Sequence, residues 1–143
     1  MAKLPSLTPG LAGTVTHQVD DASTARQVGS GTVDVLATPE LVRLMEVAAV
    51  AALADHLPPE LTSVGVSLDV QHIAPTPVGL SVKVRAALTE AQGRRLTFQV
   101  VASDDLEEIG RGIHERVLVE IEGFVTRAKQ KLEQPAIEDP GKT

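Results

Sequence analysis

Three side chains in this sequence can attack a carbonyl carbon or move a proton, and each stands where the local pattern makes it conspicuous. Glu46 is the one polar residue in the run from Leu44 to Ala54 (LMEVAAVAALA). Burying a carboxylate there costs on the order of several kcal/mol unless it is hydrogen-bonded or keeps its proton. It therefore faces a wet seam or a partner residue, or it is a catalytic carboxyl with an upward-shifted pKa, a general base or a nucleophile. His72 ends the alternating row Val64, Val66, Leu68, Val70, and imidazole is the side chain best able to exchange a proton near neutrality. Taken alone, a satisfied core histidine is the better explanation of it. Thr38 directly precedes Pro39, and a plain helix cap accounts for it without any chemistry. In an ideal helix the eight residues from Thr38 to Glu46 span about 12 Å. The two cannot touch along one axis, so the first turn is irregular or they act on different substrate atoms, across a dimer seam for instance.

The element that must carry Thr38 and Glu46 is a helix over Thr38 to Leu57 (TPELVRLMEVAAVAALADHL). Thr38 is expected to cap it, Pro39 to open it, Glu40 to favour its positive end, and Pro58–Pro59 to stop it. Apolar nearly all round, it reads as buried, with alanines that let strands approach closely. Before it, residues 1–12 are expected to lie loosely on the surface and 13–19 to form a first strand. Residues 20–32 read as a loop or short mobile helix, and 33–37 as an extended entry. After it the period changes to two. Val64 to His72 is a strand, followed by a two-proline connection and a long strand with Val78, Leu80, Val82, Val84, Ala86 and Leu88 in one row. Gln92–Gly93 marks a hairpin, and Leu96, Phe98, Val100 and Ala102 the next inward row. In the final strand Ile109, Ile113, Val117, Val119 and Ile121 are read as the marking row. His114 and Arg116 share the opposite face as a solvated or interface pair. Residues 124–133 suggest a short polar helix and 134–143 a disordered tail. The fold class is α+β: one domain over 13–133, in which a curved antiparallel sheet wraps a central apolar helix.

Composition narrows the function. With Lys+Arg 13 against Asp+Glu 19 and a net charge of -6, a general nucleic-acid binder is disfavoured. Two Phe and no Tyr or Trp leave few platforms on which bases can stack. No cysteine means no disulfide, no thiol catalysis and no cysteine-held metal, and the histidines show no HxxxH or HxH spacing, so no metal site is expected. Met1 to Leu11 lacks a signal-peptide pattern, and no apolar run is long enough to span a bilayer. The cytoplasm is the expected compartment, with no nucleic-acid or membrane partner. Gly29-Ser30-Gly31 lacks the lysine of a phosphate loop.

The order of elements resembles the hotdog fold. Within it, the segments ATPELVRLMEVAAVAAL, GVSLDVQHIAPTPVGLSVKVRAAL, GRRLTFQVVASDDLEEIG and GIHERVLVEIE are similar to the fluoroacetyl-CoA thioesterase-like family, over roughly residues 13–130. The resemblance implies that Thr38, Glu46 and His72 are catalytic. It also implies that the backbone of Gly65 lies beside the thioester carbonyl. The family's best-known member closes its pocket with a lid bearing phenylalanines; here Gln27 to Leu36 (QVGSGTVDVL) has none, and Gly29 and Thr32 stand at those spacings. Thioester hydrolysis therefore carries over, while selection of a fluorinated acyl group does not.

On that resemblance the expected activity is hydrolysis of a small or medium acyl-CoA by a homodimer or higher homo-oligomer. No cofactor is expected beyond the coenzyme A of the substrate. Backbone N–H groups near Gly65 would stabilise the oxyanion. Val35, Leu36 and Val66 would line the acyl site, and Arg94, Arg95 and Arg116, with Arg111, would meet the phosphates of coenzyme A or serve as ordinary surface charge. The alternatives are a non-enzymatic acyl-CoA-binding module and a hydratase or dehydratase, because fold alone does not fix function.

Overall fold

The computed structural model describes residues 3–139 and 141. Met1 and Ala2 of the N-terminal segment, and Pro140, Lys142 and Thr143 of the tail, lie outside the described residues. Five strands form one sheet: β1 (Ala12–Gln18), β2 (Leu61–His72), β3 (Ser81–Gln92), β4 (Arg95–Ser103) and β5 (Glu108–Glu120). Their order is β1-β3-β4-β5-β2, antiparallel throughout, with β1 and β2 at the edges. Three helices accompany them: α1 (Ala25–Val28), α2 (Thr38–Leu53) and α3 (Ile121–Gln130).

One face of the sheet packs on α2. The rows Val82, Val84, Ala86, Leu88 and Leu96, Phe98, Val100, Ala102 are fully buried against Leu41, Leu44, Met45, Ala48, Ala49, Ala52 and Leu53 of the helix. With so few aromatics, the core fills its volume with Val, Leu and Ala, and small residues set how close the elements come. A Cβ added at Gly13 on β1 would run into the Ala48 carbonyl oxygen and the Ala52 amide nitrogen of α2. Glycine on the strand facing alanine on the helix permits near-contact of the two backbones. The described part of the N-terminal segment is held rather than loose. Leu4, Leu7 and Leu11 pack on the core, and the Gly10 N–H donates to the Leu88 carbonyl.

The structure also departs from the sequence reading in α2, β2, β3 and β5: β3 begins at Ser81, so Val78 stands before the strand and is exposed. The N-cap of α2 is Ala37, with no side-chain cap, and Thr38 is already helical. The helix ends at Leu53, capped by Ala54, one turn before Leu57. In β2 the register against β5 shifts between Gly65 and Ser67, so Val66 bulges out of the alternation and is 49% exposed. The inward positions are therefore Ser63 and Gly65 before the bulge and Leu68, Val70 and His72 after it, not one row from Val64. In β5 Ile109 is in the core as read, but from Ile113 on the faces are reversed: His114 is 0% and Arg116 5% exposed, while Ile113 is 45% exposed on the other side. That polar pair tolerates burial because it bonds within the protein, as described below.

Candidate active site

Thr38 and His72 meet at one end of the groove between α2 and β2. Freed from capping, Thr38 Oγ1 lies 2.8 Å from His72 Nδ1, a hydrogen bond between the first helical residue of α2 and the last residue of β2. The chain leading into the helix is fixed by neighbouring loops. The Leu36 N–H donates to the Thr76 carbonyl, and the Ala37 N–H to the Ser23 carbonyl. Thr76 in turn is buried and donates from Oγ1 to Asp104 Oδ2 at 2.9 Å. A cavity of about 320 Å³ opens beside the pair, lined by Gly31, Val33, Val35, Leu36, Ile73 and Pro75 among others. Burial holds the His72 imidazole below its ordinary value, with the Ala74 backbone opposing the shift. No hydrogen bond reaches His72 Nε2, which is buried. A largely neutral imidazole with one nitrogen on a hydroxyl can accept or return a proton near neutrality.

Glu46 belongs to a second cluster on the same groove. Its carboxylate oxygen Oε2 accepts from Arg116 Nη1 at 3.1 Å, and its side chain is 41% exposed rather than sealed in apolar surroundings. Arg116 also donates from Nε to Ser63 Oγ at 2.8 Å and from Nη2 to the Ser63 carbonyl at 3.1 Å. Its Nη1 lies 3.1 Å from His114 Nε2, and His114 Nδ1 lies 2.8 Å from the Ser67 carbonyl. Gly65 is opposite: a Cβ there would collide with Glu46 Oε2 and crowd His114 and Arg116. With glycine there the carboxylate lies directly against the strand, and a side chain would make Glu46 shift. The arrangement is a carboxylate at the mouth of a polar notch, with a guanidinium supplying its counter-charge.

Of the residues singled out in the sequence, the structure therefore brings Thr38, His72, Val35 and Leu36 together at one site, and Glu46, Gly65 and Arg116 together at another. Glu46 lies eight helical steps after Thr38, about 12 Å along the axis. His72 lies seven strand steps after Gly65, with a bulge between, roughly 20 Å. Val66 sits at the bulge, exposed on the free edge. The arginines also disperse. Arg94 donates to the Leu118 carbonyl beside α3. Arg95 pairs with Glu115 at 2.7 Å and Arg111 with Glu108 at 2.7 Å, both on the surface. Ser63 and the inward placement of His114 escaped the sequence reading, because a strand bulge leaves no periodic mark. His114 and Arg116 share a strand face in the sequence, but what turns that face inward is a set of partners far along the chain. Among the described residues no group of three His, Asp or Glu side chains could hold a metal ion, and no helix is long and apolar enough to cross a membrane.

Comparison with known proteins places the chain among thioesterases. The model of the family described as fluoroacetyl-CoA-specific thioesterase matches residues 19–122. The fluoroacetyl-CoA thioesterase of Streptantibioticus cattleyicolor is 45% identical over 98 residues, 68% of this chain and 70% of that protein. A solved structure of a mutant of the fluoroacetyl-CoA thioesterase FlK in complex with acetyl-CoA superposes with a TM-score of 0.83 at 37% identity, covering 87% of this chain and 98% of the other. A thioesterase superfamily member from Thermus thermophilus gives a TM-score of 0.81 at 26% identity, covering 91% and 98%. The curved sheet around α2 is thus the hotdog fold.

Proposed function

The chain belongs to the fluoroacetyl-CoA-specific thioesterase family and is a thioester hydrolase, and from that premise we propose how its residues divide the reaction and which acyl groups they accept. The observation that carries the reading is the hydrogen bond of 2.8 Å between Thr38 and His72 at the mouth of an apolar cavity. The acyl group enters that cavity. Glu46 takes a proton from water as the water oxygen bonds to the thioester carbon. The carbonyl oxygen, now negative, is met by backbone N–H groups of the Gly65 stretch, where the missing side chain allows close approach. When the C–S bond breaks, the thiolate of coenzyme A takes a proton from the Thr38–His72 pair, the Glu46 carboxyl that holds water's proton restores it to the pair, and the free acid leaves. Water and these side chains suffice, so no cofactor is needed. A coenzyme A substrate puts the enzyme in the cytoplasm.

Both clusters include residues of β2, an edge strand, with His72 in one and Gly65 in the other roughly 20 Å apart. Antiparallel pairing of β2 with the β2 of a second copy, about a two-fold axis near Asp69, sets the His72 end of one strand against the Gly65 bulge of the other. The two half-sites then complete each other across a homodimer. The exposed Val50 and Val66, 49% each, give such a partner apolar surface to cover.

The cavity walls include Val33, Val35 and Leu36 with Gly31, and no phenylalanine is among the residues that line them. The substrates are accordingly small or medium acyl groups with little premium on fluorine. Release of free thiol from a short panel of acyl-CoA thioesters tests the reading. Turnover by the wild type, lost by about 100-fold or more in Glu46→Gln, is expected. Near-wild-type turnover in folded Glu46→Gln would remove Glu46 from the chemistry. Strong preference for fluoroacetyl-CoA over acetyl-CoA would overturn the substrate assignment.

A further inference from the structure

His114 is buried in the second cluster, touches no part of the acyl cavity and is not used in the proposed reaction. Its hydrogen bonds fix its proton. A guanidinium only donates, so the nitrogen facing Arg116 Nη1 is unprotonated, and the ring carries its single proton on Nδ1 and donates it to the Ser67 carbonyl. The imidazole is thus a neutral acceptor at a fixed place. The ring is fully buried, near Phe98 with centroids 6.3 Å apart, and is tied at both nitrogens.

Arg116 is held on three sides by the protein: Ser63 Oγ takes Nε, the Ser63 carbonyl takes Nη2, and His114 Nε2 takes Nη1. Nη1 is the same atom that donates to Glu46 Oε2. Its two N–H bonds diverge in the guanidinium plane, so fixing one on His114 aims the other. We infer that His114 is a positioning residue: by accepting from Nη1 it aims Arg116 at Glu46 and so sets the orientation of the carboxylate that receives the proton from water. The inference rests on the assignment of Glu46 as the base.

The ring's two hydrogen bonds can be separated by substitution. Gln places its Oε1 where Nε2 stands and still accepts from Arg116, while Asn places its Nδ2 where Nδ1 stands and still donates to Ser67. A purely structural histidine, one that anchors the β2 bulge through Ser67, is replaced best by Asn. A positioning histidine is replaced best by Gln. Steady-state hydrolysis by the full-length protein is expected to show kcat within about threefold of wild type for His114→Gln. For His114→Asn a loss of about tenfold or more is expected, with KM little changed, since the acyl cavity is untouched. In a Glu46→Gln background His114→Asn should add no further loss, because the effect runs through Glu46. If Glu46→Gln alone keeps wild-type turnover, the assignment of Glu46 falls and takes the inference with it. If Glu46→Gln is inactive while His114→Asn matches or exceeds His114→Gln, the inference alone fails. Nitrogen NMR of the wild-type imidazole decides independently of whether either variant folds. A neutral Nδ1–H tautomer supports the assignment, and a ring protonated on Nε2 overturns it.

Discussion

At the scale of single residues, the proposed reaction separates two tasks that one carboxylate and one imidazole could have shared. Thr38 spends its hydroxyl on His72 and not on capping α2. Thr38→Ala should therefore lower turnover while costing little of the ~1 kcal/mol that loss of a real cap would bring, and Thr38→Ser should restore most of the rate. Thermal melts alongside thiol-release kinetics check this; equal losses in Ser and Ala would show that the hydroxyl is not what matters. The histidines also predict a pH response. Burial holds both His72 and His114 below their ordinary 6.5. On acidification below that value the unfolded chain binds protons that the folded chain refuses, so stability rises with pH across the window just under 6.5. The lowered carboxylates Asp20, Asp104 and Glu108 act only near and below their ordinary 3.8 to 4.5. The melting temperature should accordingly fall between about pH 6.5 and 5 in the wild type and fall less in His72→Gln. A wild-type melting temperature that stays flat there would contradict the burial of these rings.

At the scale of elements, the closest constraint is the crossing of β1 over α2, where Gly13 meets the backbone at Ala48 and Ala52. Gly13→Ala should destabilise by about 1–3 kcal/mol or more through overpacking. By contrast, Gly123 in α3 has open space around a Cβ, and Gly123→Ala should stabilise by about 0.4–1 kcal/mol. Urea midpoints with unchanged slope test the opposite signs, and a neutral Gly13→Ala would mean that the two elements can move apart freely. The alanine-rich face that permits the crossing was legible in the sequence, as were the inward rows of β3 and β4, because strict alternation over a two-sided sheet has one solution. The faces of β5 were not legible. Hydropathy assigns Ile113 and Val117 to the core, yet Arg116 and His114 go in because Glu46, Ser63 and Ser67 give them partners. Hydrogen bonding across 47 to 70 residues of chain decided the face, and no local pattern carries that information.

At the scale of the whole molecule, the order of elements and the α+β class followed from one change of period, from helical before Pro58 to alternating after Ser63. What periodicity could not supply is the distance between the residues it picked out. Glu46 and the Thr38–His72 pair share a groove without sharing a site in one chain. The proposed two-fold through β2 resolves this, and it makes a prediction that a self-sufficient protomer does not. His72→Ala and Glu46→Gln are each expected to be inactive as homodimers. If each site takes its Thr38–His72 pair from one chain and Glu46 from the other, a dimer of one His72→Ala chain and one Glu46→Gln chain holds one site with both defects and one site with neither. Mixing the two by co-refolding in equal amounts makes half the dimers mixed, with one of two sites intact, so about a quarter of wild-type activity should return. If all three residues act within one chain, every site carries a defect and nothing returns. The readout is thiol release from the mixture against each variant alone, with sedimentation confirming dimers. Absence of recovery from mixed dimers, or a stable active monomer at micromolar concentration, would place the whole site in one protomer and overturn the shared arrangement.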